Sequence, residues 1–293
     1  MKHLLTIFSI SMLVMLQTQT AKCQLLVSAK MNKKQVVAYE DVKLAVTLTN
    51  RAGQPIKFVN KMRRKWIEFV VERGNGQQTV FAKKDAIYAP ALLNTGETRT
   101  SNFTLNSSYD LSQPGNYTVY AIVRMPGQSA EQGTRSQKVH FTVIRGHASW
   151  KQRAGVPGAP GDTREYRLMN VSSDRFTELY VQVEDVKRGR MLATYSMGRN
   201  LAFREFSATL DNKNRLHVLF LTTPTIYSHT VVDAAGKTVR RQYHKKGSGG
   251  SVPKLITTNS GVVGVMNSTP YDPKKANDLR SKIHNLSELP LGL

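Results

Sequence analysis

Cysteine is almost missing from this 293-residue chain: Cys23 is the only one, so no intramolecular disulfide and no cysteine-based metal site can form. Long apolar runs are missing too. The segment Leu4 to Leu16, broken only by Thr6, Ser9 and Ser11, falls short of the ~20 residues that span a bilayer. Acidic residues are scarce, 20 against 42 Lys and Arg, which leaves a formal net charge of +22. A surface so unbalanced attracts polyanions through long-range forces that salt screens. Catalytic signatures are lacking as well. The seven histidines never fall in a His-x-x-His or His-Glu-x-x-His arrangement, and no Gly-x-Ser-x-Gly elbow or Gly-x-x-x-x-Gly-Lys phosphate loop occurs. Glu184 and Asp185 are sequence neighbours that point to opposite faces of a strand, a poor geometry for acid–base work. No catalytic residue, cofactor or metal site is expected, and the chain reads as a non-enzyme.

What is present begins with an export signal. Lys2 and His3 precede the apolar run, polar Gln17 to Thr20 follow it, and Ala21 and Cys23 suit a signal peptidase, so residues 1–23 are expected to be cleaved before Gln24. Lys22 occupies the place where a lipoprotein needs a small residue, so acylation at Cys23 is not expected. After cleavage no segment approaches membrane length. The expected location is periplasmic, cell-surface or secreted, by a bacterial route, and the six Asn-x-Ser/Thr sites (Asn102, Asn106, Asn116, Asn170, Asn267, Asn285) then read as chance.

Residues 24–146 alternate with a period of two. Val42, Leu44, Val46 and Leu48 share one face of a strand that ends at Asn50-Arg51-Ala52-Gly53-Gln54-Pro55, a turn cluster. Further strands are predicted around Ile56, Trp66 to Val71, Thr79 to Phe81, Thr98 to Leu105 and Lys138 to Ile144. Pro114-Gly115-Asn116-Tyr117 leads into Thr118 to Val123. This Gly-x-Tyr-x-Val entry resembles the late-strand region of bacterial immunoglobulin-like modules, where the tyrosine packs at the strand corner. The resemblance implies a β-sandwich and says little about function.

Residues 147–163 concentrate Gly155, Pro157, Gly158, Pro160 and Gly161 and are expected to form an interdomain linker, with Trp150 either anchoring it or offering a ligand-stacking ring. Residues 164–270 are expected to form an antiparallel β-meander, with four short strands over 206–210, 216–221, 226–232 and 237–243 and a further pair near 253–257 and 262–266. Asp211-x-x-Asn214-x-Leu216-His217-Val218 is similar to hairpins of sialidase-like, extracytoplasmic β-propellers. The stretch holds about two blade-like units, too few for a closed ring of ~4 or more blades. An open meander or a second small sandwich is expected instead, and no sialidase activity carries over. Gly247 to Ser251 precedes a strand and reads as a loop. In residues 271–293, Asp272 caps a helix from Lys274 to Ile283 with Pro273 in its first turn, and a leucine-bearing coil follows. The fold class is therefore all-β with a short C-terminal helix.

Function reads as binding or scaffolding. The partner is expected to be a protein, or an anionic envelope polymer such as an acidic glycan or lipopolysaccharide, and not a nucleic acid. Basic residues Arg63, Arg64, Lys187, Arg188, Arg240, Arg241 and Lys245 would carry the polyanion contacts. An alternative is a glycan-binding, or vestigial glycan-cleaving, protein of propeller ancestry, with Trp150, Tyr227, His229 and Tyr243 as the contact set. Another alternative is a structural subunit of a surface assembly. His217 and His229 could meet on adjacent strands, His217 as a hydrogen-bonded core residue.

Overall fold

The computed structural model describes residues 24–61, 64–74, 78–83, 86–129, 131–173 and 175–282. The expected signal segment with Cys23, as well as Arg63, Asn285 and the leucine-bearing tail, lie outside them. The class is all-β, with 57% strand, 5% helix and one short C-terminal helix. Among the described residues no helix is long and apolar enough to cross a membrane. The chain divides into two units. The first contains residues 24–33, 43–110 and 116–141, the second 34–42, 111–115 and 142–282.

The strands of the N-terminal half are, in order, β1 (Leu25–Met31), β2 (Gln35–Val37), β3 (Lys43–Asn50), β4 (Ile56–Phe58), β5 (Ile67–Arg73), β6 (Gln78–Thr79), β7 (Ala91–Leu93), β8 (Thr98–Thr104), β9 (Gly115–Val123), β10 (Thr134–Arg135) and β11 (Val139–Ile144). In the first unit β1-β3-β8 form one antiparallel sheet, and β6-β5-β9 lie in another with β10 against β9. Alternation does what the sequence predicts: Leu44, Val46 and Leu48 of β3 are buried while the residues between them are not. Phe69 and Phe103 bring the two sheets together, their ring centroids 5.1 Å apart. Tyr117, the strand-entry tyrosine, is buried and stacks on Phe141 at 5.3 Å. The β1 edge is closed by a side chain: Gln137 Nε2 donates to the Ala29 carbonyl (2.7 Å) and its Oε1 accepts from the Ala29 N–H (3.2 Å), imitating a strand.

The second unit contains β12 (Trp150–Val156), β13 (Ala159–Ser172), β14 (Thr177–Asp185), β15 (Arg190–Asn200), β16 (Ser207–Leu210), β17 (Leu216–Leu221), β18 (Ile226–Val232), β19 (Thr238–Lys246), β20 (Lys254–Thr257), β21 (Val263–Met266), β22 (Ser268–Tyr271) and α1 (Pro273–Lys282). The expected linker is instead a hairpin: Trp150 to Gly155 of β12 pair with Leu168 to Thr163 of β13. Its glycines serve the turn, with Gly158 at φ +77° and Gly161 at φ +80°, conformations open to glycine because it has no Cβ. The meander therefore begins at Trp150, not at residue 164, and extends through β22. It forms a four-stranded sheet, β12-β13-β14-β15, and a five-stranded one, β16-β17-β18-β19-β22. Tyr166, Leu168, Leu179, Val181, Val183 and Met197 of the former meet Leu216, Val218, Phe220 and Val232 of the latter in one core, a second sandwich. Val37 at the end of β2 joins Met169 and Tyr180 in a smaller apolar cluster of the same unit. Asp272 caps α1 as expected, its Oδ1 accepting from Lys274 N at 2.9 Å.

Candidate functional site

β17 reads Leu-His-Val-Leu-Phe-Leu, and every residue in it is buried. A run apolar on both faces needs cover on both. The core sandwich covers Leu216, Val218 and Phe220. The β20–β21 hairpin covers the other face, where Leu219, Leu221 and Tyr227 meet Leu255 and Val265. Cross-strand partners share a face, so the register fixes what lies under that hairpin. Leu219 opposes His229, His229 opposes Gln242, Tyr227 opposes His244 and Val231 opposes Arg240. His217, His229, Arg240 and His244 therefore occupy one face of three adjacent strands. Arg241, Tyr243 and Lys245 occupy the other.

The histidines form a directed row. At its start, Asp211 Oδ1 accepts from the backbone N–H groups of Lys213 (2.9 Å) and Arg215 (2.8 Å), and Oδ2 accepts from Arg215 Nε at 2.7 Å. Burial works to raise the Asp211 carboxyl, but these bonds and the one to His217 outweigh it and hold the group below the usual carboxylate range. A carboxylate can only accept, so His217 Nε2, 3.2 Å from Oδ2, carries the hydrogen. His217 Nδ1 is then the acceptor for His229 Nε2 at 3.0 Å. The His229 and His244 rings lie 6.1 Å apart, and His244 Nδ1 bonds the Ser268 hydroxyl at 3.1 Å. His244 Nε2 is buried and has no hydrogen-bond partner among the described residues.

All three rings stay neutral near pH 7. Burial drives His229 down to about 3, helped by the charges of His217, Arg240 and His244. Burial also depresses His217, against the pull of Asp211. His244 is lowered by burial and then by the positive charge of Arg240. Among the described residues no three His, Cys, Asp or Glu side chains are grouped so as to hold a metal ion.

The basic edge beside this row is β19. Over Thr238 to Gln242 the strand is exposed throughout, because β22 pairs only with Tyr243 to Lys246. Arg240 and Arg241 sit on that open stretch, and among the described residues neither forms an ion pair with a carboxylate. Lys245 places its ammonium 4.9 Å from the centroid of the Tyr271 ring. The structure thus gathers Tyr227, His229, Arg240, Arg241, Tyr243 and Lys245 on two neighbouring strands, with Tyr227 and His229 buried and Tyr243 on the opposite face from both.

The other expected contacts lie elsewhere. Lys187 and Arg188 are ion-paired: Asp162 takes both, at 3.3 and 3.1 Å, and Asp185 takes Arg188 at 2.7 Å as well as Arg164 at 3.3 Å. Trp150 is half-buried against the second unit's core. Arg64 belongs to the first unit, where its guanidinium donates to the Gln128 carbonyl. That unit also holds an open cleft of about 220 Å³ lined by Ile67, Phe69, Tyr88, Ser108 and Tyr109 among others. Sequence reasoning anticipated the meeting of His217 and His229. It missed Asp211 as the anchor and His244 as the third ring. The available signal was three histidines on consecutive hairpin strands behind a turn that starts with Asp.

No protein-family model and no curated protein matches this sequence. Among solved structures, the chain is similar to the Pseudomonas fluorescens alkylpurine DNA glycosylase AlkC bound to DNA containing an abasic site analog, with 15% identity and a TM-score of 0.28, covering 41% of this chain and 30% of that one. It is also similar to Spo0M, a sporulation control protein from Bacillus subtilis, with 12% identity and a TM-score of 0.27, covering 59% of this chain and 91% of that one. Likenesses this distant bear on neither the fold nor the function of the chain.

Proposed function

We propose that this chain is a non-catalytic exported binding protein that takes an anionic envelope polymer along the open edge of β19. The observation that carries the reading is the contrast between two basic clusters. Lys187 and Arg188 are ion-paired with Asp162 and Asp185, whereas Arg240 and Arg241 stand exposed on an unpaired strand edge with no carboxylate partner among the described residues. A guanidinium presents its donors as a planar fork that matches carboxylate, sulfate and phosphate groups. The net charge of +22 supports long-range attraction to such a polymer. The buried positions of Tyr227 and His229 speak against a sugar-stacking surface built from the four residues Trp150, Tyr227, His229 and Tyr243.

Chromatography on immobilised heparin, a sulfated polysaccharide, tests this. The wild type should be retained at low salt and released by about 0.5 M, where screening removes surface attraction. The double variant Arg240→Gln/Arg241→Gln should elute well before it, and Lys187→Gln/Arg188→Gln should elute close to it. Co-elution of the Arg240/Arg241 variant with wild type would remove β19 as the site.

A further inference from the structure

We propose that the anion site on β19 is proton-linked: an anionic group seated at Arg240 favours a proton on His244, so the polymer binds more tightly as the pH falls. This rests on the reading of β19 as the polyanion edge and adds its regulation. Three observations place the two groups in one electrostatic unit. Arg240, Gln242 and His244 lie at alternate positions of β19 and so share a face. His244 is only half-buried, the most accessible ring of the row, while His217 and His229 are almost fully enclosed. The positive charge of Arg240 bears on all three rings, and on His244 it is the one cause that acts beside burial.

The charges facing His244 have a consistent sign. On its own strand they are Arg240 and Lys246, at alternate positions; β18 offers the Tyr227 hydroxyl, on the residue directly opposite, and neutral His229, and β22 the Ser268 hydroxyl. The β20–β21 hairpin that covers this face has Lys254 as its only ionisable side chain between residues 254 and 266. The one carboxylate bonded to the row, Asp211, stands at the far end and is paired with Arg215 at 2.6 Å. Protonation of His244 therefore adds a cation to a group of cations, with no carboxylate bonded to its ring among the described residues. An anion at Arg240 removes the repulsion that opposes this. Linkage makes the effect reciprocal: whatever the anion does to the proton on His244, that proton does to the affinity for the anion. Arg240 and His244 stand four residues apart on the strand, roughly 13 Å between Cα atoms, so the coupling is weaker than that of an exposed pair in contact and the gain stays below about threefold.

The test uses the full chain and a sulfated heparin hexasaccharide at constant ionic strength. The His244 ring proton is followed by NMR through a pH titration, with and without saturating hexasaccharide, and affinity is measured by calorimetry at pH 7.5 and 5.5. The His244 midpoint should move upward on saturation. The affinity ratio between the two pH values should be larger for wild type than for His244→Gln, by up to about threefold. A wild-type midpoint that saturation leaves in place overturns the proposal even if His244→Gln fails to fold, and so does a ratio equal in the two proteins. Either result, with binding at pH 7.5 intact, leaves the polyanion reading standing. Absence of wild-type binding at both pH values removes that reading itself, and the linkage with it.

Discussion

Lowering the pH from 7 to 5 should weaken the second unit by about 2 kcal/mol through His229 alone. The ring is 2% exposed, and burial with neighbouring positive charge holds it at about 3 in the folded chain, against roughly 6.5 when unfolded. Between those values the unfolded chain holds a proton on this ring and the folded chain does not, so stability rises with pH and is lost as pH falls below about 6.5. At pH 5 the gap is about 1.5 units, each worth about 1.4 kcal/mol. His217 and His244, also lowered, act in the same direction. Asp162, Glu165, Asp185 and Asp211 are all lowered as well, and their contribution disappears only in more acidic solution, where unfolded carboxylates titrate near 4. The window from pH 7 to 5 therefore isolates the histidines. Urea unfolding at fixed ionic strength, followed at pH 7, 6 and 5 for wild type and His229→Gln, measures the effect. The variant should be less stable at pH 7 but lose about 2 kcal/mol less on acidification. Parallel losses in the two proteins would refute the assignment of His229 as a buried neutral ring.

Two further outcomes follow from the geometry. Gly236→Ala should destabilise more than Gly158→Ala by thermal unfolding: both glycines have φ near +80°, but a Cβ on Gly236 would lie 2.4 Å from Ala193 Cβ, while one on Gly158 meets nothing within 4 Å, leaving only a backbone strain of about 1 kcal/mol. Asp211→Asn should move the hydrogens along the row, because an amide N–H directed at His217 Nε2 requires that nitrogen to accept. ¹⁵N shifts of His217 and His229 should then report Nδ1–H in place of Nε2–H, and rings that keep the wild-type pattern would contradict the direction given to the row.

Most strands were legible because one face of each is buried. The alternation over Val42 to Leu48 comes directly from that pattern, and β17 and β18 stand out because both of their faces are covered. The hairpin from Trp150 was not legible for the same reason in reverse. β12 is an edge strand whose residues Lys151, Gln152 and Arg153 are exposed, so it carries no hydrophobic period, and its turn glycines resemble a linker. The basic cluster at 240–241 was visible in the sequence as charge. Its difference from the cluster at 187–188 was not, because Asp162 reaches Lys187 and Arg188 from 25 and 26 residues away along the chain, through the pairing of β13 with β14.

The chemistry of the row accounts for why Arg240 keeps its charge directed outward. Three strands bring polar side chains under the β20–β21 hairpin, and buried polar groups need partners. Carboxylates in these positions would meet that need by bonding Arg240, as Asp162 and Asp185 do for Arg188. Imidazoles meet it among themselves and stay neutral: His229 donates to His217, and His217 donates to an Asp211 already paired with Arg215. The single negative charge is thus confined and compensated at the far end of the face. The rings nearest Arg240 carry no charge to compete for it, yet can gain a positive one. On the proposal made above, a row of histidines leaves the arginine edge available to an external anion and adds a group that pH can charge, whereas an acidic face would pair with the arginines.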